Sequence, residues 1–453
     1  MNMRVTVVGA GLSGCEATWQ LVNRGIKVDL YEMRPVVTTK AHKTGLFAEL
    51  VCSNSFRGAE LSQAVGLLKE ELRICNSLIM QAADSAAVPA GNALAVDRDL
   101  FSSIIDSKLR QHPLVTVSTQ EVLEIPPATR ETPVIIAAGP LCSPTLAARI
   151  IDLCGESELH FFDAISPILY YDSLDLSHLF KQSRYGKGGG DDYLNVPLTE
   201  DQYLKLYHDI ATAEKFGGHP EVESDTIDGA VPFDGCLPIE EMVERGLDTL
   251  RFGPLKGKGL VDPKTGAQPY AALQLRPDNR SGTLWSMVGM QTRMKRGEQE
   301  RIFRSLPGLQ NAEFARFGSV HRNTFINSPQ HLTNTAELRT QAGLFFAGQF
   351  SGVEGYLEST ASGLVAGINA WATLVGKAPL PFPADTAIGS LMNYISDPDR
   401  KDFQPMNINF GIMPSYEAFP ERNEKGHKIP KKDRRLRTAQ QALKSLSNFI
   451  KLN

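Results

Sequence analysis

The sequence predicts an α/β fold in which a parallel sheet is interrupted by an inserted α+β domain. Three observations carry this expectation. An apolar strand runs into a Gly-x-Gly-x-x-Gly turn close to the N-terminus, β-α-β units continue to about residue 157, and a second strand, Gly-rich turn and helix return near residues 344–375.

The first unit begins with the β-branched run Val5-Thr6-Val7-Val8, which enters Gly9-Ala10-Gly11-Leu12-Ser13-Gly14 and then a helical pattern from Cys15 to Arg24. In such a unit the first glycine allows the turn and the second lets a pyrophosphate approach the backbone. The third lets helix and strand pack closely, and the helix N-terminus presents N–H groups to the anion. Gly25 ends the helix, and Lys27-Val28-Asp29-Leu30-Tyr31-Glu32 reads as the next strand. Glu32 stands about twenty residues past the glycines, where a carboxylate hydrogen-bonds an adenosine ribose. The glycines alone would say little; strand, helix, second strand and terminal acid in register predict a Rossmann-type dinucleotide site.

Next comes the loop His42–Gly58, which has neither helical nor strand period and is dense in reactive side chains. Long loops beside nucleotide sites are more often functional than filler. Amphipathic helices are expected from Leu61 to Leu78 and from Val96 to Leu109, with strands from Val115 to Ile125 and from Val134 to Pro140. The texture then changes. Strands Phe162–Tyr171, Asp192–Val196 and Leu273–Leu275 and helices Asp201–Phe216 and Ile239–Arg245 suggest the inserted domain.

The first domain returns with the buried strand Leu344–Gln349, the turn Phe350–Tyr356 and a small-residue helix from Glu358 to Val375. A second helix N-terminus suits the flavin end of an extended FAD, so the expectation is an FAD-binding domain of the glutathione-reductase-like kind. The resulting boundaries are 1–159 and 326–453 for its two parts and 160–325 for the inserted substrate domain. A Pro-rich connector, Pro379–Pro383, leads to a basic amphipathic helix, Lys431–Leu452, at the C-terminal end.

Bulk properties narrow the class. No run reaches the roughly 18 apolar residues that would span a bilayer, and the N-terminal apolar residues belong to the first strand rather than to a signal peptide. A cytoplasmic enzyme with no membrane partner is expected. The six cysteines lack a Cys-x-x-Cys pair and the histidines lack metal spacing, so neither zinc nor a disulfide framework is expected. The net charge is −4, yet residues 401–453 carry a basic surplus of six. That surplus, and the cluster Arg293, Lys295, Arg296, Arg301 and Arg304, read either as solvated helix faces or as contacts to nucleic acid.

Two cysteines stand out from the buried-apolar reading that suits Cys15, Cys75, Cys142 and Cys154. Cys52 lies in the reactive loop beside Ser53, Asn54 and Ser55. Cys236 lies in Asp234-Gly235-Cys236-Leu237-Pro238-Ile239-Glu240, just before a helix, where a thiol ionises more easily and the thiolate is the nucleophile. For Cys236 the residues leave the structural and nucleophilic readings open. Glu354 is either a helix-terminal acid or a flavin-proximal one.

With these residues in view, the chain resembles the folate- and FAD-dependent tRNA uracil-5-methyltransferases, the TrmFO family. The matching stretches are Val7–Ala17, the His42–Gly58 loop with Leu50-Val51-Cys52-Ser53-Asn54-Ser55, Gly66–Glu71, Asp234–Glu240, Leu250–Lys256 and Phe346–Tyr356. They span about residues 1 to 450. The two cysteine motifs are specific; the first and last stretches are shared with the related MnmG flavoproteins.

The resemblance implies ribothymidine formation in the T-loop of tRNA. The carbon would come from 5,10-methylenetetrahydrofolate and the electrons from NADH or NADPH through FAD. It assigns Cys236 to thiolate addition at uracil carbon 6 and Cys52 to the family's second functional cysteine. Cofactor contacts are expected from Gly9, Ala10, Gly11, Leu12, Ser13, Gly14, Glu32, Gly348, Gln349, Gly352, Glu354, Gly355 and Tyr356. The T-arm of tRNA is the expected partner, held by the basic clusters at Arg293–Arg304 and Lys425–Arg437 with the target base extruded. A monomer is the favoured state. The rival readings are the same chemistry on a ribosomal RNA uridine, an MnmG-like wobble-uridine enzyme, and a non-catalytic flavin-containing RNA-binding protein.

Overall fold

A computed structural model of the chain describes residues 3–39, 41–155, 159–216, 237–401, 403–422 and 425–452. Within them five parallel strands form one sheet, in the spatial order Leu344–Phe346, Val134–Ile136, Arg4–Val8, Lys27–Glu32 and Val115–Thr119. Numbered along the chain, this is the Rossmann order, with its reversal beside Arg4–Val8. Val5, Val7, Leu30, Ile135 and Phe345 are fully buried, as expected of strands covered on both faces.

The helix Leu12–Val22 follows the first strand and packs along the late helix Tyr356–Leu374. Their backbones nearly touch: a Cβ at Gly363 would lie 2.2 Å from the Ser13 carbonyl oxygen, and one at Gly367 2.7 Å from that of Ala17. This close approach explains the run of small residues in the late helix.

The insertion is built on a six-stranded antiparallel sheet, ordered Phe180–Lys181, Leu194–Leu198, Ala271–Pro277, Leu284–Met287, Ile168–Tyr170 and Phe314–Arg316. Helices Glu200–Thr212 and Arg296–Phe303 share its core of Leu169, Val196, Leu206, Leu273, Met287 and Phe303. The outgoing strand Leu159–Ile165 and the returning strand Ser319–Phe325 pair antiparallel, so the two crossings between the sheets form one strap.

Several elements differ from the sequence reading. The helix expected over Leu61–Leu78 is two helices, Ala64–Ile74 and Leu78–Ser85. Asn76 adopts a left-handed φ of 58°, and the Ser77 hydroxyl then accepts the Met80 N–H and starts a new helix. The strand expected over Phe162–Tyr171 breaks at Ser166-Pro167, and its halves join different sheets. The strand from Val115 stops at Thr119. An unforeseen three-stranded sheet joins Ser55–Gly58, Ala93–Val96 and Ala87–Val88, so Val96 ends a strand instead of starting a helix. Asp97 caps the helix that follows, Arg98–Arg110, by accepting the Leu100 N–H at 3.0 Å.

Candidate dinucleotide groove and the cysteine loop beside it

The strand-order reversal opens a groove lined among others by Gly9, Gly11, Leu12, Ser13, Glu32, Gln349 and Tyr356. Gly9 has φ +101°, and a Cβ there would lie 2.4 Å from the Ala137 carbonyl oxygen. A Cβ at Gly14 would lie 1.8 Å from the Gly9 carbonyl oxygen, so helix and turn are packed as closely as the backbone allows. Gly11 differs: nothing lies within 4 Å of where its Cβ would be. Bare backbone at the start of Leu12–Val22, with no acid in the helix's first turn, is a cradle for an anion that a side chain would fill.

Glu32 closes one end of the groove. Its carboxylate accepts the Ala10 N–H at 3.0 Å, the Arg34 N–H at 3.0 Å and the Arg34 Nε–H at 2.9 Å. Burial alone would raise its pKa, but the hydrogen bonds and charge of Arg34 outweigh that and hold the carboxyl below its ordinary range. Arg34 also reaches Glu49 at 3.3 Å, and Glu49 accepts the Lys43 and Thr44 N–H groups. The reactive loop is therefore tied to the groove. His42 lines the groove too, with Nδ1 2.7 Å from Thr39 Oγ1.

At the other end Gly348, Gly352 and Gly355 have φ of +84°, +80° and +112°. Only glycine takes such a path readily, and the path brings Gln349 and Tyr356 to the groove. Gly348 N–H donates to Ser362 Oγ at 2.8 Å. Glu354 is buried; its carboxylate accepts from the Gln349 amide, and its N–H donates to the Met406 carbonyl at 3.0 Å. A charged cluster backs this turn. Arg57 pairs with the fully buried Glu358, and Lys69 Nζ donates to the Gly58 carbonyl at 2.9 Å. Burial, then the nearby Arg57, brings the Lys69 pKa down to about 7.

Tyr356 joins the groove to the cysteine loop. Its phenol oxygen accepts the Cys52 N–H at 2.8 Å and the Ser53 N–H at 3.1 Å. From the other side, Arg98 Nη2 donates to the Cys52 carbonyl at 3.1 Å while its Nε pairs with Asp278 at 2.8 Å. Arg276 donates to Asn54 Oδ1 at 2.7 Å and to Ser53 Oγ at 3.1 Å. Asn54 in turn donates to the Val96 and Pro277 carbonyls. Cys52 Sγ lies 3.8 Å from the Ala164 carbonyl oxygen on the strap. The late helix, the inserted sheet and the strap thus hold one loop in place.

Beyond that loop is a second cavity, lined in part by Cys52, Ser53, Ser166, Arg276, Gly289 and Gln291. Arg276 is buried with neutral hydrogen-bond partners, and burial lowers its pKa. The Arg316 side chain makes no hydrogen bond or ion pair among the described residues; burial and then the charge of Arg98 lower its pKa. Gln291 Oε1 is buried with no hydrogen-bond partner among the described residues. Leaving such an oxygen unpaired costs on the order of 1–3 kcal/mol. None of Arg276, Gln291 and Arg316 belongs to a motif, and sequence reasoning missed all three.

Cys236 lies outside the described residues. The chain resumes at Leu237, and Ile239 N–H donates to the Gln291 carbonyl at 2.8 Å. Glu240 is buried and accepts the Thr292 hydroxyl and the Arg293 N–H. Of the other cysteines, Cys15 is fully buried beside the Ala10 carbonyl, and burial pushes its thiol pKa well up.

The basic cluster at Arg293–Arg304 is largely compensated. Arg293 pairs with Glu241, Lys295 with Glu214, Arg301 with Asp209 and Glu298, and Arg304 with Glu300. On the C-terminal helix Lys431–Leu452, by contrast, Arg437, Lys444 and Lys451 are exposed and have no ion-pair partner among the described residues. No described helix is long and apolar enough to cross a membrane, and the described residues contain no group of three or more His, Cys, Asp or Glu side chains that could hold a metal ion.

Strand order, glycine turn and a second helix N-terminus at the far end of the groove define a Rossmann-type protein of the FAD-binding class. A family model described as Glucose inhibited division protein A matches residues 4–378. The fold resembles that of Aquifex aeolicus GidA, with a TM-score of 0.68 at 16% identity, covering 99% of this chain and 76% of that one. Within this wide family the chain belongs to the TrmFO family. It is 55% identical over 429 residues to the methylenetetrahydrofolate–tRNA-(uracil-5-)-methyltransferase TrmFO of Listeria monocytogenes, covering 94% of this chain and 96% of that protein. It is 52% identical to the TrmFO proteins of Natranaerobius thermophilus, over 99% of both chains, and of Heliobacterium modesticaldum, over 100% of this chain and 99% of that one.

Proposed function

We propose that this chain methylates carbon 5 of a uridine in the T-loop of tRNA, using 5,10-methylenetetrahydrofolate as carbon donor and FAD reduced by NADH or NADPH. The observation that carries the reading is the Tyr356 phenol, which lines the dinucleotide groove and holds the Cys52 and Ser53 N–H groups at the edge of the second cavity. Cofactor and cysteine chemistry therefore share a wall. The family relatives support the choice of substrate and donor.

The residues fit FAD. Gly11 and the N-terminus of Leu12–Val22 would take the pyrophosphate, Glu32 and Arg34 the ribose end, and Gln349 and Tyr356 the flavin end. When bound and reduced, FAD supplies the reducing equivalent that turns a methylene into a methyl group. The chain does the rest. Cys236, as thiolate, adds to uracil carbon 6; the C5=C6 electron pair moves toward oxygen 4 and leaves carbon 5 nucleophilic. Carbon 5 attacks the donor methylene and then loses its proton as the methylene–nitrogen bond breaks, the electron pair leaving on that nitrogen. Reduction of the exocyclic methylene so formed re-forms C5=C6 and expels the sulfur as thiolate. Cys52 assists the proton transfer from carbon 5. Arg98, Arg276, Arg316 and Lys43 surround the loop with positive charge suited to an anionic substrate.

The test is methyl incorporation from labelled 5,10-methylenetetrahydrofolate plus NADH or NADPH into unmodified tRNA, with ribosomal RNA and S-adenosylmethionine as controls. Incorporation into tRNA from the folate donor is expected. Incorporation only from the sulfonium donor, or only into ribosomal RNA, overturns the reading.

A further inference from the structure

We infer that the cavity beyond Cys52 is the pocket for the target uracil, with Gln291 reading its N3–H/C4=O edge and Arg276 facing the ring oxygen that becomes anionic. The inference rests on the methyltransferase reading above and adds to it the residues that select the base.

Two side chains that line this cavity carry the assignment, Gln291 and Arg276. Gln291 lines it and keeps a buried amide oxygen that accepts nothing from the described residues. A buried acceptor without a partner is matched by a ligand N–H, and the amide's own N–H₂ lies beside it to donate to an adjacent carbonyl. Uracil offers that pair, N3–H next to C4=O. Cytosine has no N3–H.

Arg276 is the second group. It is a buried cation bonded to the neutral Asn54 and Ser53 and hydrogen-bonded to Tyr193, with the Asp278 carboxylate, which pairs with Arg98, as its nearby acid. When the thiolate adds to carbon 6, negative charge moves to oxygen 4, and a guanidinium already desolvated and held in place stabilises it. The Gln291 backbone and the Arg276 side chain are both anchored. The Gln291 carbonyl accepts the Ile239 N–H, and the Asn54 that holds Arg276 is itself bonded to the Val96 and Pro277 carbonyls.

The pterin ring of the folate donor carries the same lactam edge, so the experiment separates the two. T-arm RNA with uridine or 3-methyluridine at the target position is compared for wild type, Gln291→Ala and Gln291→Glu, each checked for flavin absorbance. The wild type is expected to prefer uridine, and Gln291→Ala to lose on the order of 10- to 100-fold of that preference. Gln291→Glu keeps an accepting oxygen and restores most of it, while the KM for methylenetetrahydrofolate stays unchanged. Unchanged preference in Gln291→Ala, or a change confined to the folate KM, overturns the assignment to uracil. Arg276→Gln is expected to lower kcat by about 100-fold or more with a much smaller change in the KM for RNA; a loss confined to KM overturns the role of the arginine. A wild type that makes no 5-methyluridine from the folate donor would instead refute the methyltransferase reading itself.

Discussion

Tyr356 carries two functions on one side chain, since its ring borders the groove and its oxygen holds the cysteine loop. Tyr356→Phe keeps the ring and removes the acceptor, stranding two N–H groups at a cost on the order of 1 kcal/mol each. The variant is expected to purify yellow and to make methyluridine at least about tenfold more slowly, because a loosened loop misplaces the reacting groups; flavin absorbance and initial rates check this, and an unchanged rate counts against the bridge. Cys236→Ala is expected to keep FAD and to form no covalent adduct with 5-fluorouracil-containing RNA, as judged by denaturing gels. Turnover at the wild-type rate would remove Cys236 as nucleophile. The residues legible in the sequence, Gly9 to Gly14, Glu32 and Cys52, announce themselves because their neighbours share the task. Arg276 and Gln291 come from the inserted domain, more than 200 residues from Cys52, each as a single side chain. An arginine in a strand or a glutamine after a turn has no local signature, and only the folded sheet brings them to the loop.

Among the elements, long periodic helices are legible in the sequence and short strands are not. Lys431–Leu452 appears with the predicted bounds, and Tyr356–Leu374 starts two residues before the expected Glu358. The pair Ala87–Val88 and Ala93–Val96 is too short for a period to register, and the Asn76-Ser77 break is masked by an apolar pattern that continues across it. The start of the first helix gives a sharp contrast. Gly11→Ala places a methyl in open space, so the apo-protein's melting temperature should barely move while FAD affinity falls at least about tenfold by filling of the cradle. Gly14→Ala drives a methyl into the Gly9 carbonyl and should lower the melting temperature of the apo-protein as well. Equal melting temperatures for the two variants would contradict this geometry. Another junction is sensitive to pH. Glu71, fully buried on Ala64–Ile74, accepts the Ala387 and Ile388 N–H groups at the start of Ala387–Ser396. Burial pushes its pKa from 4.5 to about 8, and so between those values the folded state holds a proton that the unfolded chain has released. Stability attributable to Glu71 therefore falls as pH rises through that window. The melting temperature of wild type relative to Glu71→Gln should decline from pH 5 to pH 8; a pH-independent difference would refute it.

Across the whole molecule, net charge is a poor guide to where RNA binds. The chain carries −4 overall, and four of the five cations in the cluster at Arg293–Arg304 that looks basic in sequence are paired with acids on the same helix and on neighbouring segments, Arg296 being the exception. Among the exposed cations with no ion-pair partner in the described residues, Arg437, Lys444 and Lys451 are spaced seven residues apart on the C-terminal helix and so aligned along one face at intervals of roughly 10 Å. The opposite face is fixed to the core through Ala439, Ala442 and Leu446, which keeps the row turned outward. An exposed cation freed of an acid can release a counterion from a phosphate, whereas one already paired must first give up its partner. Replacing Arg437, Lys444 and Lys451 together by glutamine should therefore weaken tRNA binding and flatten the plot of log affinity against log salt by about one unit for each phosphate no longer neutralised. Arg301→Gln, which removes a charge already paired with Asp209 and Glu298, should leave that slope nearly unchanged. Filter binding from low to physiological salt distinguishes the two, and an equal change of slope in both variants would show that the paired cluster, rather than the C-terminal row, meets the tRNA backbone.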